Sequence, residues 1–269
     1  MKDVLIIDDE QVILDAVATV ARSEGWSVET AIDAVSAMVR LDANSYRVIV
    51  CDILMPQMDG FDLLREVQKR WVATPVVMTT GYSTMENAVK SLYCGAVDFV
   101  AKPFTAEEII AAVRRAVRYG QLLERGRDDN GVPAFVPCPS RYQRLGYTSW
   151  LHHERDGTVR IGVTDLMLRI VEPLAGVELA AAGEELVQGS ACAHVTAEDG
   201  VRHAVLSPVG GRILDVHSDI AGDVRIVLKD PYFEGWFYRL IPADLEYDAR
   251  YLTPCASDRD VKTTILRKG

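Results

Sequence analysis

Three continuous apolar runs constrain this chain most: Val4–Ile7, Val48–Cys51 and Val76–Met78. Val97–Val100 is similar but is interrupted by Asp98. Runs of this kind suit strands buried on both faces, as in a parallel sheet. Trp26–Thr30 is a weaker strand candidate. Between the runs lie apolar residues at helical spacing: Ala34, Ala37, Met38 and Leu41, then Met85, Ala88, Val89 and Leu92. Ser83-x-x-Glu86 and Thr105-x-x-Glu108 read as capping boxes that start two helices, and Gly95 fits the C′ end of the first. The first 120 residues therefore predict an alternating βαβαβαβαβα order, a doubly wound α/β unit. In such sheets the chemistry lies beyond the carboxyl ends of the strands.

That edge is acidic. Asp8 and Asp9 follow the first run, and Asp52 follows the run at 48–51. Crowded carboxylates repel unless a cation neutralises them, and oxygen-only ligands favour a hard ion such as Mg²⁺. Thr80 and Lys102 end the next two strands and add a hydroxyl and one positive charge. A carboxylate nucleophile beside Mg²⁺ and a lysine is a phosphoryl-transfer site.

Residues 1 to about 122 closely resemble the receiver domain of two-component response regulators, a flavodoxin-like (βα)5 fold. The motifs are Asp8-Asp9-Glu10, Asp52-Ile-Leu-Met-Pro-Gln-Met-Asp-Gly60, Thr80-Gly81 and Lys102-Pro103-Phe104. The resemblance implies that Asp52 accepts a phosphoryl group from the phosphohistidine of a sensor kinase. It implies Mg²⁺ (or Mn²⁺) held by Asp9 and Asp52 directly, by Asp8 through water and by the Leu54 backbone carbonyl. Lys102 would pair with the phosphoryl group, and Thr80 would move toward it. Phe99 occupies the aromatic switch position, although plain core packing also explains it. Leu54 and Tyr82 hold the two variable positions, and their bulk implies a long-lived phosphoryl state.

The stretch from 121 to about 145 reads as a helix tail and then a linker, with prolines at 133, 137 and 139. Beyond it the texture is β-rich. Val159–Val163, Ala204–Leu206, Arg212–Val216 and Val224–Leu228 read as strands, and Asp199-Gly200 as a hairpin turn. Residues 146 to about 252 resemble the H protein of the glycine cleavage system, in the biotinyl/lipoyl-carrier superfamily. The matching stretches are Gly162-Val-Thr-Asp165, Gly176 to Gln188 with Gly189-Ser-Ala-Cys192, Ser207-Pro-Val-Gly210, and above all Asp230-Pro-Tyr-Phe-Glu-Gly-Trp236. The resemblance implies a β-rich barrel/sandwich hybrid with a lipoylated lysine on a hairpin, some eight residues before Pro208. No lysine exists between 103 and 228, and the Arg202 guanidinium cannot form the amide. Lys229 lies on a different expected element. The expected domains are thus a receiver at 1–122, a linker at 123–145, an H-like domain at 146–252 and a flexible tail at 253–269.

Charge limits the partners. The chain of 269 residues carries a net charge of −10, and the halves 1–122 and 123–269 share it equally. No helix-turn-helix pair or basic helix follows residue 146, so the sequence argues against nucleic acid as the partner. Five cysteines stand in no metal-binding spacing and read as reduced thiols. No signal-peptide-like or membrane-spanning apolar stretch is visible, so a soluble cytoplasmic protein is expected. His152 and His153 are adjacent and would point to opposite faces of a strand. His194 and His203 flank the hairpin and could face one another. Cys192, Tyr232, Trp236 and Phe237 read as core.

The leading expectation is a non-enzymatic response regulator with a non-lipoylated output domain. Its partners would be a sensor histidine kinase and an unidentified protein, with a receiver homodimer as an alternative output. The competing expectations are an active lipoyl-type carrier in one-carbon metabolism and a DNA-binding transcriptional regulator.

Overall fold

The computed structural model describes residues 2–71, 74–81, 84–128 and 134–257. The chain divides into two compact units, Met1–Gly131 and Val132–Gly269.

The first unit runs β1 (Lys2–Ile7), α1 (Gln11–Ser23), β2 (Val28–Ala31), α2 (Ala34–Ala43), β3 (Tyr46–Asp52), α3 (Gly60–Arg70), β4 (Val76–Thr80), α4 (Met85–Tyr93), β5 (Asp98–Ala101) and α5 (Ala106–Asp128). The strands form one parallel sheet ordered β2-β1-β3-β4-β5. Val4 to Ile7, Val48 to Cys51 and Val76 to Met78 are all buried, as strands covered on both faces must be. Helix α5 opens on a reciprocal capping box. The Glu108 N–H donates to Thr105 Oγ1 (3.2 Å), and the Thr105 N–H donates to Glu108 Oε2 (2.7 Å). Helix α4 is capped by Thr84, whose hydroxyl accepts the Asn87 N–H. That start lies one residue beyond the Ser83 expected to cap it, and Ser83 itself lies outside the described residues. Gly95 ends α4 in the left-handed region (φ +92°), as expected.

The second unit contains β6 (Gln143–Leu145), β7 (Ser149–His153), β8 (Val159–Val163), α6 (Asp165–Val171), β9 (Leu174–Leu179), β10 (Glu185–Leu186), β11 (Ala191–Ala197) and β12 (Arg202–Leu206). It continues through β13 (Gly211–Val216), α7 (Asp219–Gly222), α8 (Arg225–Lys229), β14 (Trp236–Pro242), α9 (Leu245–Ala249) and β15 (Thr253–Pro254). A seven-stranded sheet, β10-β13-β14-β8-β7-β6-β15, accompanies a three-stranded sheet, β12-β11-β9. All their pairings are antiparallel.

One expected strand is a helix. Val224–Leu228 forms most of α8 and does not pair in either sheet. The Asp223 carboxylate accepts the Arg225 N–H (3.0 Å) and turns the chain, and only Val227 of the run is buried. A five-residue run with four apolar residues has no period that separates a strand from a short buried helix. The tail from residue 258 lies outside the described residues. Among the described residues no helix is long and apolar enough to cross a membrane.

Candidate functional site: the carboxyl edge of the parallel sheet

In a parallel sheet every strand delivers its last residue to the same edge. Ile7 of β1 lies beside Cys51 of β3, which places Asp8 next to Asp52. Thr80 ends β4, is fully buried, and its carbonyl accepts the Lys102 N–H at 2.8 Å. Lys102 leaves β5 at this point, through a cis peptide to Pro103.

The side chains converge. The Lys102 ammonium lies 2.7 Å from Asp8 Oδ2 and 2.9 Å from Asp52 Oδ1. Glu10 Oε1 lies 3.6 Å from the same ammonium. Asp8 is 1% exposed and Asp52 3%. Burial pushes both carboxyls above the ordinary carboxylate range, and the Lys102 contacts offset only part of that. Burial also works against the charge of Lys102, but the two carboxylates overcome it and raise the ammonium. Two desolvated acids on one cation leave a negative excess. Asp52 Oδ1 is buried and has charge contact with Lys102 without an aligned hydrogen bond. A hard divalent cation fits this donor set.

The loop after β3 holds Asp52 in place. The Leu54 N–H donates to Asp52 Oδ2 at 2.7 Å, and the Gly60 N–H donates to Ile53 O at 2.9 Å. A Cβ at Gly60 would lie 2.2 Å from the Asp52 carbonyl oxygen, so only glycine fits there.

Other expected residues stand apart. Asp9 is exposed and is not among the carboxylates paired with Lys102. Among the described residues no group of three or more His, Cys, Asp or Glu side chains is assembled as a metal cage. Phe99 is partly buried against the core and faces the register position of Met78. Leu54 is about half exposed. Tyr82 lies outside the described residues. Sequence reasoning missed Glu10 as a partner of Lys102; its only signal was its place directly after the Asp pair.

In the second unit the hairpin between β11 and β12 turns at Asp199-Gly200, as expected. The Gly200 N–H donates to Ala197 O (2.9 Å), and Asp199 Oδ1 accepts the Val201 N–H (3.0 Å). Gly200 lies eight residues before Pro208 with φ +84°, a backbone that suits glycine. Arg202 is occupied by Glu178 at 2.6 Å. His194 and His203 do not face one another. His203 pairs with Val195 and His194 with Ala204, so the two rings project from opposite faces of the ribbon. Burial pushes the Cys192 thiol up to about 12, which makes it core and not a nucleophile. Tyr232 and Phe237 are also buried. Trp236 is only partly buried, with the Arg160 guanidinium 5.3 Å from its ring centroid.

Another tie joins the end of the expected linker to this unit. The Val136 N–H donates to buried Asp165 Oδ2 (2.6 Å), and its carbonyl accepts the Tyr232 hydroxyl (2.8 Å). Tyr232 and Asp165 both lie in the stretches that carried the H-protein resemblance, but their link to Val136 has no sequence signal.

Known proteins divide at the same place. Residues 4–114 match the response regulator receiver domain model, and residues 141–263 match the glycine cleavage H-protein model. The transcriptional regulatory protein TrcR of Mycobacterium tuberculosis is 36% identical over 126 residues, which cover 47% of this chain and 49% of that protein. The nitrogen assimilation regulatory protein NtrX of Azorhizobium caulinodans is 32% identical over 182 residues, 66% of this chain and 39% of that protein. The chain thus spans half or less of the length of these relatives. The receiver domain of NtrX from Brucella abortus is 38% identical, with 43% of this chain and 98% of that chain covered at a TM-score of 0.42. The chain joins a response regulator receiver domain to a glycine cleavage H-protein domain.

Proposed function

We propose that the protein is the phosphoacceptor of a two-component phosphorelay, and that Asp52 receives the phosphoryl group of a sensor histidine kinase. The observation that carries this reading is the Asp8–Lys102–Asp52 cluster, a buried carboxylate and a lysine at the carboxyl edge of a parallel sheet. In the transfer an Asp52 oxygen bonds to phosphorus as the phosphorus–nitrogen bond of the kinase phosphohistidine breaks. The bonding pair leaves on the imidazole, which takes up a proton. Lys102 pairs with the phosphoryl oxygens, and Thr80 donates its hydroxyl to them. Asp9, Asp52 and the Leu54 carbonyl would hold Mg²⁺ or Mn²⁺ directly and Asp8 through water, and the ion would supply further positive charge against those oxygens. Phe99 and Thr80 carry the change to the helices. On this reading the chain is a signalling protein and not an enzyme in its own right, and it works in the cytoplasm.

The receiver occupies 1–122 with α5 continuing to Asp128, and the H-like output domain occupies 146–252 together with β6 (Gln143–Leu145) and β15 (Thr253–Pro254), which shortens the linker expected at 123–145 and the tail expected at 253–269. The output domain acts by protein–protein contact and carries no lipoate. The hairpin supports this, because the carrier lysine is expected around its turn, some eight residues before Pro208, and no lysine there offers an amine. The test is labelling of the full chain by acetyl phosphate with Mg²⁺. Wild type gains one phosphoryl group and Asp52→Asn gains none; equal labelling of both refutes the assignment. Intact mass after expression with a lipoate ligase tests the second half, where any lipoyl adduct overturns the non-carrier reading.

A further inference from the structure

Glu10 is the residue at this edge that the phosphoacceptor mechanism leaves without a task. Its backbone is pinned, since its N–H donates to Asp8 Oδ1 at 3.0 Å. It stands at the N-cap position of α1, yet its side chain makes no capping hydrogen bond there. The carboxylate turns instead to Lys102 at 3.6 Å. Asp8 and Asp52 hold the same ammonium from inside and have almost no solvent contact, whereas the Glu10 side chain is 65% exposed. Three carboxylates therefore share one cation, and only the outermost is free to swing away.

We propose that Glu10 is a positioning and screening residue for the phosphoryl-transfer site. This rests on the reading of Asp52 as phosphoacceptor. In the resting protein Glu10 holds Lys102 from the solvent side and closes the cluster with a net charge of −2. That excess draws a divalent cation to the Asp8–Asp52 pair and opposes an anionic phosphodonor. When the phosphoryl group joins Asp52, its oxygens compete for the Lys102 ammonium, and Glu10, the most solvated of the three acids, is the one displaced. The inner acids cannot serve in this way because they are buried.

The test uses the full chain as wild type, Glu10→Gln and Glu10→Asp. Mg²⁺ affinity is measured by calorimetry, and the rate of labelling by acetyl phosphate is measured at saturating Mg²⁺. Glu10→Gln should weaken Mg²⁺ binding and speed labelling, each by about two- to fivefold, the range open to an exposed ion pair. Both differences should shrink between about 0.05 and about 0.5 M KCl, because a through-space charge effect is screened. Glu10→Asp keeps the charge and should stay closer to wild type than Glu10→Gln in both measurements. The proposal is overturned if affinity and rate are unchanged, if both fall together, or if the differences persist at high salt. Asp52→Asn runs beside these variants. Labelling that survives Asp52→Asn refutes the phosphoacceptor reading itself, whereas Asp52-dependent labelling that ignores Glu10 refutes this proposal alone.

Discussion

Replacing Lys102 by methionine tests whether the cluster is a coupled unit. Methionine nearly preserves the length of the side chain and removes its charge. Asp8 and Asp52 would then be two buried carboxylates without their shared ammonium. Removing one partner of a buried ion pair costs about 3–5 kcal/mol. The 11% exposure of the lysine side chain places this site near the buried case, so we expect about 3 kcal/mol at pH 7 in the absence of divalent ions. The loss should depend on pH. Burial raises both acids already, and removal of Lys102 takes away the main influence that lowers them. A carboxyl raised in the folded state binds more protons there than when unfolded, so stability falls as pH rises. The penalty is therefore full above the raised folded values and is relieved as pH falls through them toward the unfolded value of about 3.9. Mg²⁺ should restore stability in the same way, by about 2.7 kcal/mol at a hundredfold excess over its Kd. The assay is a urea titration of the full chain read by hydrogen exchange in β1 and β3, which reports the first unit separately. A Lys102→Met protein within about 0.5 kcal/mol of wild type, indifferent to pH and to Mg²⁺, would refute the coupling; the yardstick is the usual scatter of surface substitutions.

Two further outcomes follow from packing. Gly60→Ala places a methyl group 2.2 Å from the Asp52 carbonyl oxygen, and such overpacking costs about 1–3 kcal/mol. Its melting temperature should drop and its phosphoryl labelling should slow, and a variant that labels and melts like wild type contradicts the loop geometry. Cys192 should resist a thiol reagent at pH 8 in the native chain and react once urea unfolds it, because burial holds its thiol near 12. Peptide mapping reads this, and rapid native modification of Cys192 counts against its burial.

The sequence was most legible where a local pattern and the tertiary environment demanded the same thing. The apolar runs before Asp8 and Asp52 became sheet strands because a strand covered on both faces tolerates no polar interruption. Thr105 and Glu108 made their capping box because both partners lie within one turn of the backbone. Legibility failed at Val224–Leu228, where four apolar residues around Arg225 satisfy a strand or a short helix equally and the Asp223 turn selected the helix. It failed at Ser83 by a single residue, since Thr84 offers the same capping hydroxyl. It failed for His194 and His203 because only the pairing register says which face a strand residue takes.

The chain by itself determined the parallel sheet, the residues at its carboxyl edge, and the missing amine near residue 200. Those properties depend on residue type and order, and a parallel sheet converts order into position. Tertiary structure alone decided that Lys102 reaches past its own strand to bind Asp8 and Asp52 together, that Glu10 completes the group while Asp9 stays outside it, and that Val136 is fastened to Asp165 and Tyr232. These are contacts between residues far apart in sequence, or choices among neighbouring acids, and they depend on side-chain direction and burial that no spacing encodes.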